Sequence, residues 1–375
     1  GLADDFCRDL SLAQQDVQSG VSSGRATATN THWNKWTAFT TELGLDPFLE
    51  AFTDKVPFLQ VFGQRIREGE LALNRDPIRA RSAEDYLRAV AQTSLTVGAN
   101  DPRYTSIGKI DFRIKRMIAA WKKEDPPAQR VKPVPIQVIR RIAFIAERLP
   151  PTAHTLLATS NMIIVAFFFL LRPGEYTESP SSDTTPFRYC DVQLMIGCIR
   201  LNIMTCPLDE LLQATSVCLT FTTQKNGVEN EVIRQGRSGD PYLCPVLAII
   251  RRVRHMRENH AMPHTPLGRV FTSHGTESVT PSLITKTLRD AVRFIGMDLG
   301  FLPAEVSARS LRAAGAMALL VSKVDTDIIR LLGCWRSDEM LRYLHLTAEP
   351  IMKDFASRML QAEYNMTPSQ LVPMQ

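Results

Sequence analysis

The chain is short of most features that would assign it at a glance. Its 7 cysteines, scattered from Cys7 to Cys334, form no CxxC pair, which argues against a disulfide framework and against a structural zinc site. No metal is expected from this pattern. Long apolar runs are missing too: the longest, Met162 to Leu171, is about half of the ~20 residues that a membrane-spanning helix requires. No charged-then-apolar leader is recognisable near Gly1, so a soluble protein of a reducing, intracellular compartment is expected, with no membrane partner. Charge of one sign is also scarce, because a net +5 with pI ≈ 8.8 is too mild to declare a nucleic-acid partner from totals. What is present is 375 residues with 44% hydrophobic content, enough for real cores in two or three domains.

Taken in order, residues 1–30 contain the polar string QSGVSSGRATATNT, which buries little surface and reads as a flexible arm. From Thr31, Trp33, Trp36 and Phe39 recur at helical spacing up to Gly44. A second helix is expected around 58–69. A third starts at a capping-box-like Ser82 and Asp85, with Ala83, Tyr86, Leu87, Val90 and Ala91 on one face. The pattern predicts a fourth over 107–121, with Ile107, Ile110, Ile114, Met117, Ile118 and Trp121 on one side and Lys109, Arg113 and Arg116 on another. A basic stripe opposite a core stripe suits phosphates, although taken alone it fits an ordinary solvated face. The stretch DPPAQRVKPVP over 125–135, with four prolines in eleven residues, reads as a linker that carries Arg130 and Lys132.

Beyond it, Ile136 to Leu149 and Thr155 to Leu171 read as helices, the second apolar nearly all round and hence the buried centre of a domain. That helix ends in Leu171-Arg-Pro-Gly-Glu175, so packing positions Arg172 at its end; alone, this also fits an arginine covering a helix carboxyl end. Residues 191–203 alternate around Gly197 as a hairpin, a further strand is expected over 217–223, and Lys225-Asn226-Gly227 turns the chain. Met204 to Thr215 looks like an insertion between strands. A helix over 245–258 carries Arg251, Arg252, Arg254 and Arg257 on its expected outer side, 270–272 is a short strand, and an amphipathic helix over 281–295 spaces out Lys286, Arg289 and Arg293.

The most informative stretch runs from Ser307 to His345. Ser307 is an expected cap for a helix with Leu311, Gly315, Met317 and Leu319 inward and Arg309 and Arg312 on one turn. Asp325 or Thr326 caps a second helix that stops at Gly333, and Ser337 caps a third, with Tyr343 one turn further on. These boxes, Arg309-Ser-Leu-Arg312, Leu332-Gly-Cys-Trp335 and Tyr343-Leu-His345, resemble the carboxy-terminal half of the tyrosine recombinases. Their wording is most similar to eukaryotic mobile-element recombinases of the crypton and DIRS type.

The resemblance implies a mainly α fold with a small antiparallel β-sheet: a helical core-binding DNA-binding domain over 31–124, the linker, and a tyrosine-recombinase catalytic domain over 136–375. It implies Tyr343 as nucleophile, Arg172 and Arg312 as phosphate clamps, and Lys225, at a hairpin between the first two boxes, as general acid. It implies no cofactor. Arg309 stands where most of the family has histidine, and arginine accepts no proton near neutral pH. Nine residues before Tyr343, where the family places a histidine or tryptophan, is Cys334, while Trp335 beside it carries the indole suited to a phosphate. Double-stranded DNA is the implied partner, contacted by Lys109, Arg113, Arg116, Arg130, Lys132, Lys286, Arg289 and Arg293, with a homodimer or homotetramer in a synapse, in the nucleus. An amphipathic helix over 348–364 fits packing on its own domain equally well, while the resemblance implies that it docks on a neighbouring protomer. The departures at Arg309 and Cys334 leave a second expectation, a catalytically silent DNA-binding protein derived from a recombinase.

Overall fold

Five helices make up the first part of the computed structural model, which describes residues 2–21, 23–71, 76–105, 107–126, 131–178, 184–222 and 230–335. They are α1 (Leu2–Ser19), α2 (Ser23–Glu42), α3 (Val56–Arg67), α4 (Ala80–Thr96) and α5 (Phe112–Glu124). Trp36, Phe39, Leu59, Phe62, Leu87, Ile114 and Trp121 form a core shared by α2 to α5. Trp36 stands edge-on to Phe62 at 5.1 Å and donates its indole N–H to the Pro47 carbonyl at 2.8 Å, so its one polar atom is satisfied inside the core. Gly63 leaves the space in which Trp121 lies, since a Cβ there would sit 3.1 Å from the indole.

Two sequence expectations change here. Residues 2–19, expected in a flexible arm, form α1, and α2 begins at Ser23 rather than near Thr31. Phe6, Leu10 and Val17 recur at helical spacing ahead of the polar string, a period that composition alone hides. The basic stripe is also redrawn. Asp111 caps α5 by accepting from the Arg113 N–H, and the preceding residues form a turn around Gly108, with φ +71°, closed by a bridge between Tyr104 and Ile110. Lys109 therefore lies off the helix, because an aspartate cap and a left-handed glycine outweigh the apolar period.

The chain divides into units Gly1–Ala128 and Gln129–Gln375, and the division falls within the proline-rich stretch. In the second unit α6 (Ile136–Ala146) and α7 (His154–Phe168) come first. From Ala158 to Phe167 every residue of α7 is buried, because α6, α10 (Pro245–Glu258) and α12 (Ser310–Val321) pack around it. α12 approaches closely because Gly315 has no Cβ where the Phe167 carbonyl lies. The remaining helices are α8 (Pro173–Tyr176), α9 (Leu208–Leu211), α11 (Pro281–Ile295) and α13 (Thr326–Leu332).

A four-stranded antiparallel sheet in the order β2-β1-β3-β4 covers one side: β1 (Val192–Ile196), β2 (Ile199–Leu201), β3 (Ser216–Phe221) and β4 (Glu231–Gly236). Gly197, with φ +58°, makes the expected β1–β2 turn. β5 (Arg269–Thr272) and β6 (Gly275–Ser278) form a separate hairpin. The fold is thus mainly α with a small antiparallel sheet. The segment over 204–215 lies between β2 and β3 and contributes to the core: Leu211 and Ala214 are fully buried, and Arg237 donates to the Ala214 and Leu212 carbonyls.

Candidate active site

The end of α7 sets the site. Leu170 leaves the helix with φ +53°, a left-handed conformation that costs a non-glycine residue about 1–2 kcal/mol, and the Leu171 N–H returns to the Ala166 carbonyl at 3.0 Å. α13 ends in the same way. Cys334 has φ +51°, and the Trp335 N–H reaches back to the Arg330 carbonyl at 3.0 Å. Strain of this kind persists only where the surroundings over-determine it.

Arg312 lies between these two helix ends. Its side chain is buried in α12, and its guanidinium donates to the Leu170 and Gly333 carbonyls, one at each end. Helix carboxyl ends carry partial negative charge, so two of them together stabilise a cation that would be costly to bury elsewhere. Trp335 completes the setting, with its ring centre 4.0 Å from the guanidinium carbon.

Arg172 follows two residues after Leu170 and is partly exposed. Glu175 holds it from both sides of the residue: Oε2 accepts from the Arg172 backbone N–H at 2.6 Å, and Oε1 accepts from the guanidinium at 3.0 Å. The spacing Arg172-Pro-Gly-Glu175 is thus the first turn of α8, with the acid reaching back to its start.

The start of α12 is fixed by three groups that sequence reasoning did not single out for this work. The Tyr176 hydroxyl donates to the Ala308 carbonyl at 3.1 Å, Thr285 Oγ1 accepts from the Ala308 N–H at 3.0 Å, and Arg289 donates to the Val306 carbonyl at 3.1 Å. Burial drives the Tyr176 phenol far above the ordinary tyrosine range, so it stays protonated and able to donate. Ser307 is not the cap expected of it, because α12 starts at Ser310 with Arg309 at the N-cap position. Ser307 instead accepts from the Arg309 N–H at 3.3 Å, and the Arg309 side chain is exposed.

Two further contacts tie β4 to the segments that hold Arg312. Gln235 donates to the Phe168 carbonyl at 2.8 Å, and Cys334 Sγ donates to Glu231 Oε2 at 3.2 Å. The strand that returns from the turn at 225–227 has no bounds in the sequence pattern, and its signal is weak, since only Ile233 of β4 is buried. Lys225, Tyr343, Arg130 and the 348–364 helix lie outside the described residues.

Several cations expected on DNA are engaged within their own unit. Arg113 binds Asp54 at 2.7 Å and Asp111 at 3.0 Å, and these hydrogen bonds raise its pKa while they lower both carboxyls. Lys132 pairs with Glu305 at 2.8 Å, and Arg293 pairs with Asp290. On α10, Arg252 is buried rather than outward and donates to the Leu267 and Arg269 carbonyls. Its neighbours Arg251 and Arg254 pair with Glu147 and Glu258. Lys109 and Lys286 are exposed, as is Arg116, which stacks on Phe112 at 5.5 Å. Periodicity places such residues on faces but does not reveal the carboxylates brought to them from elsewhere.

No protein-family model and no curated protein matches this chain. Solved structures do resemble it at low identity. The XerA recombinase is 13% identical over 90% of this chain and 100% of its own, with TM-score 0.37. The Tn1549 transposon integrase (residues 82–397) in complex with circular intermediate DNA is 12% identical over 83% and 86%, with TM-score 0.46. The XerH site-specific recombinase bound to difH substrate is 10% identical over 81% and 78%, with TM-score 0.40. At such distance the likeness stands as a likeness.

Proposed function

We propose that the protein is a tyrosine recombinase of a mobile element, of the crypton or DIRS kind, that cleaves and rejoins double-stranded DNA. The observation that carries this reading is the burial of Arg312 at the junction of two strained helix ends, with Arg172 two residues along the chain from Leu170, whose carbonyl Arg312 binds. A fold that commits this much structure to orienting a buried guanidinium is preorganised for an anion, and the chain continues from that point into Tyr343. Tyr343 gives up its phenol proton to water or to a neighbouring histidine such as His345 and attacks the phosphorus in line: its oxygen–phosphorus bond forms, the bond to the 5′ oxygen breaks, and a 3′-phosphotyrosyl link remains. Arg172 and Arg312 face the non-bridging oxygens, each contributing about 3 kcal/mol to the transition state. Lys225 gives the 5′ oxygen its proton. The phosphotyrosyl bond conserves the energy of the broken one, so the freed 5′ hydroxyl reverses the step without a nucleotide cofactor.

Strand exchange needs paired sites, so the working form in this reading is a DNA-bound homodimer or homotetramer, acting in the nucleus. The deciding experiment is a nicked suicide substrate carrying the ends of the native element, with denaturing gels of wild type and Tyr343→Phe. An adduct that survives denaturation in wild type and is absent from the variant supports the reading. Tight binding without an adduct overturns it in favour of the silent DNA-binding derivative, in which Arg309 and Cys334 mark lost chemistry.

A further inference from the structure

β4 carries one face that points inward, with Glu231, Ile233 and Gln235 less exposed than Val232, Arg234 and Gly236. Ile233 is buried in the core. The two polar residues that flank it make the contacts of interest. Gln235 reaches the Phe168 carbonyl, two residues before Leu170, and Glu231 receives the Cys334 thiol, one residue after Gly333. Leu170 and Gly333 are the residues whose carbonyls hold Arg312. One strand is therefore fastened, a few residues apart, to both segments that position the buried arginine.

Glu231 is also the first residue of β4, paired with Phe221 across the ladder, and the Asn230 N–H closes the pair onto the Phe221 carbonyl at 2.7 Å. In sequence Lys225 lies four residues after Phe221 and six before Glu231. A side chain carried on a hairpin is positioned only as well as the base of the hairpin. Here the base is fastened to the loop that carries Trp335, which itself stacks on Arg312. Cys334 also has the left-handed φ of +51°, a strained conformation that its surroundings have to hold.

We infer that Glu231 and Cys334 are positioning residues that register the β3–β4 hairpin against the Arg312–Trp335 stack, and so set the general acid on the hairpin against the leaving oxygen. The inference rests on the recombinase reading and assigns a role to a carboxylate and a thiol at its edge. The thiol needs only to donate and the carboxylate only to accept. Serine at 334 and glutamine at 231 preserve those capacities, whereas alanine at either position removes them.

The test is single-turnover adduct formation on the suicide substrate, made once with an ordinary 5′ oxygen at the scissile phosphate and once with sulfur in its place. A departing thiolate needs no proton, so the sulfur substrate is insensitive to a misplaced acid. With the oxygen substrate, Glu231→Ala and Cys334→Ala are expected to slow the adduct about ten- to a hundredfold, the cost of a misplaced group. Glu231→Gln and Cys334→Ser are expected to stay within about twofold, since the donor–acceptor pair is kept. The sulfur substrate is expected to restore the alanine variants and to leave Arg312→Ala slow. Alanine variants that match wild type, or that are equally slow on both substrates, overturn the inference while the recombinase reading stands. If the alanine variants fail to fold, Glu231→Leu and Cys334→Val take their place, keeping bulk while removing the pair. Wild type that forms no adduct on either substrate overturns the recombinase reading and the inference with it.

Discussion

Arg113 and Arg312 are both arginines on helices of this chain, and the structure treats them in opposite ways. Arg113 lies at the surface of the first unit between two aspartates, one of them 59 residues away in sequence. Arg312 is buried in the second unit, where main-chain carbonyls and an indole shape its setting. The difference teaches that a basic stripe in a sequence is a weak sign of phosphate binding, because carboxylates from other elements can already occupy it. A buried guanidinium held at two helix ends is a stronger sign, since desolvating a charge is costly and the fold has to supply the compensation.

The comparison is broken most directly at its buried member. Arg312→Ala is expected to lower adduct formation by about 10²–10³-fold, measured by single-turnover trapping, and Arg312→Lys to restore little, because an ammonium lacks the fork that spans two acceptors. Arg172→Ala is expected to cost about a hundredfold in the same assay. The surface member is probed by DNA binding against salt. Arg116→Ala should reduce the slope of log affinity against log salt by about 1, the signature of one phosphate contact, whereas Arg113→Ala should leave the slope unchanged because Asp54 and Asp111 already neutralise it. A slope that falls for Arg113→Ala would erase the contrast.

The smallest effect is on acid stability. Hydrogen bonds from Arg113 hold the Asp54 and Asp111 carboxyls below the ordinary aspartate value of 3.8. Their folded pKa values lie below the unfolded ones, so the stability they contribute is fully present above the unfolded value and is lost as pH falls through the folded values. Urea titrations at decreasing pH should show a slightly shallower acid limb for Asp54→Asn than for wild type, and a small one because the pair is exposed.

Much of this was legible in the sequence where local chemistry decides. The helices over 245–258 and 281–295 were read with the bounds the structure gives them, because proline opens each one. Arg172 just past the buried helix, Gly197 in its hairpin and Asp325, one of the two caps the sequence offers α13, are likewise readable from neighbouring residues. What escaped were features that depend on distant partners. Nothing near Glu231 announces Cys334, 103 residues away, and nothing near Arg289 announces the Val306 carbonyl. The left-handed turns at Leu170 and Cys334 were hidden for a related reason: both positions favour glycine, and neither has it.

Of the four tryptophans, Trp33, Trp36 and Trp121 belong to the first unit, and Trp335 is the only one in the second. Its indole lies against the guanidinium that the proposed chemistry depends on. Light emitted by this ring is therefore a built-in gauge of the arginine beside it. In the proposed reading, arrival of an anion at Arg312 changes this ring's share of the emission, which the difference between wild type and Trp335→Phe isolates before any bond is broken.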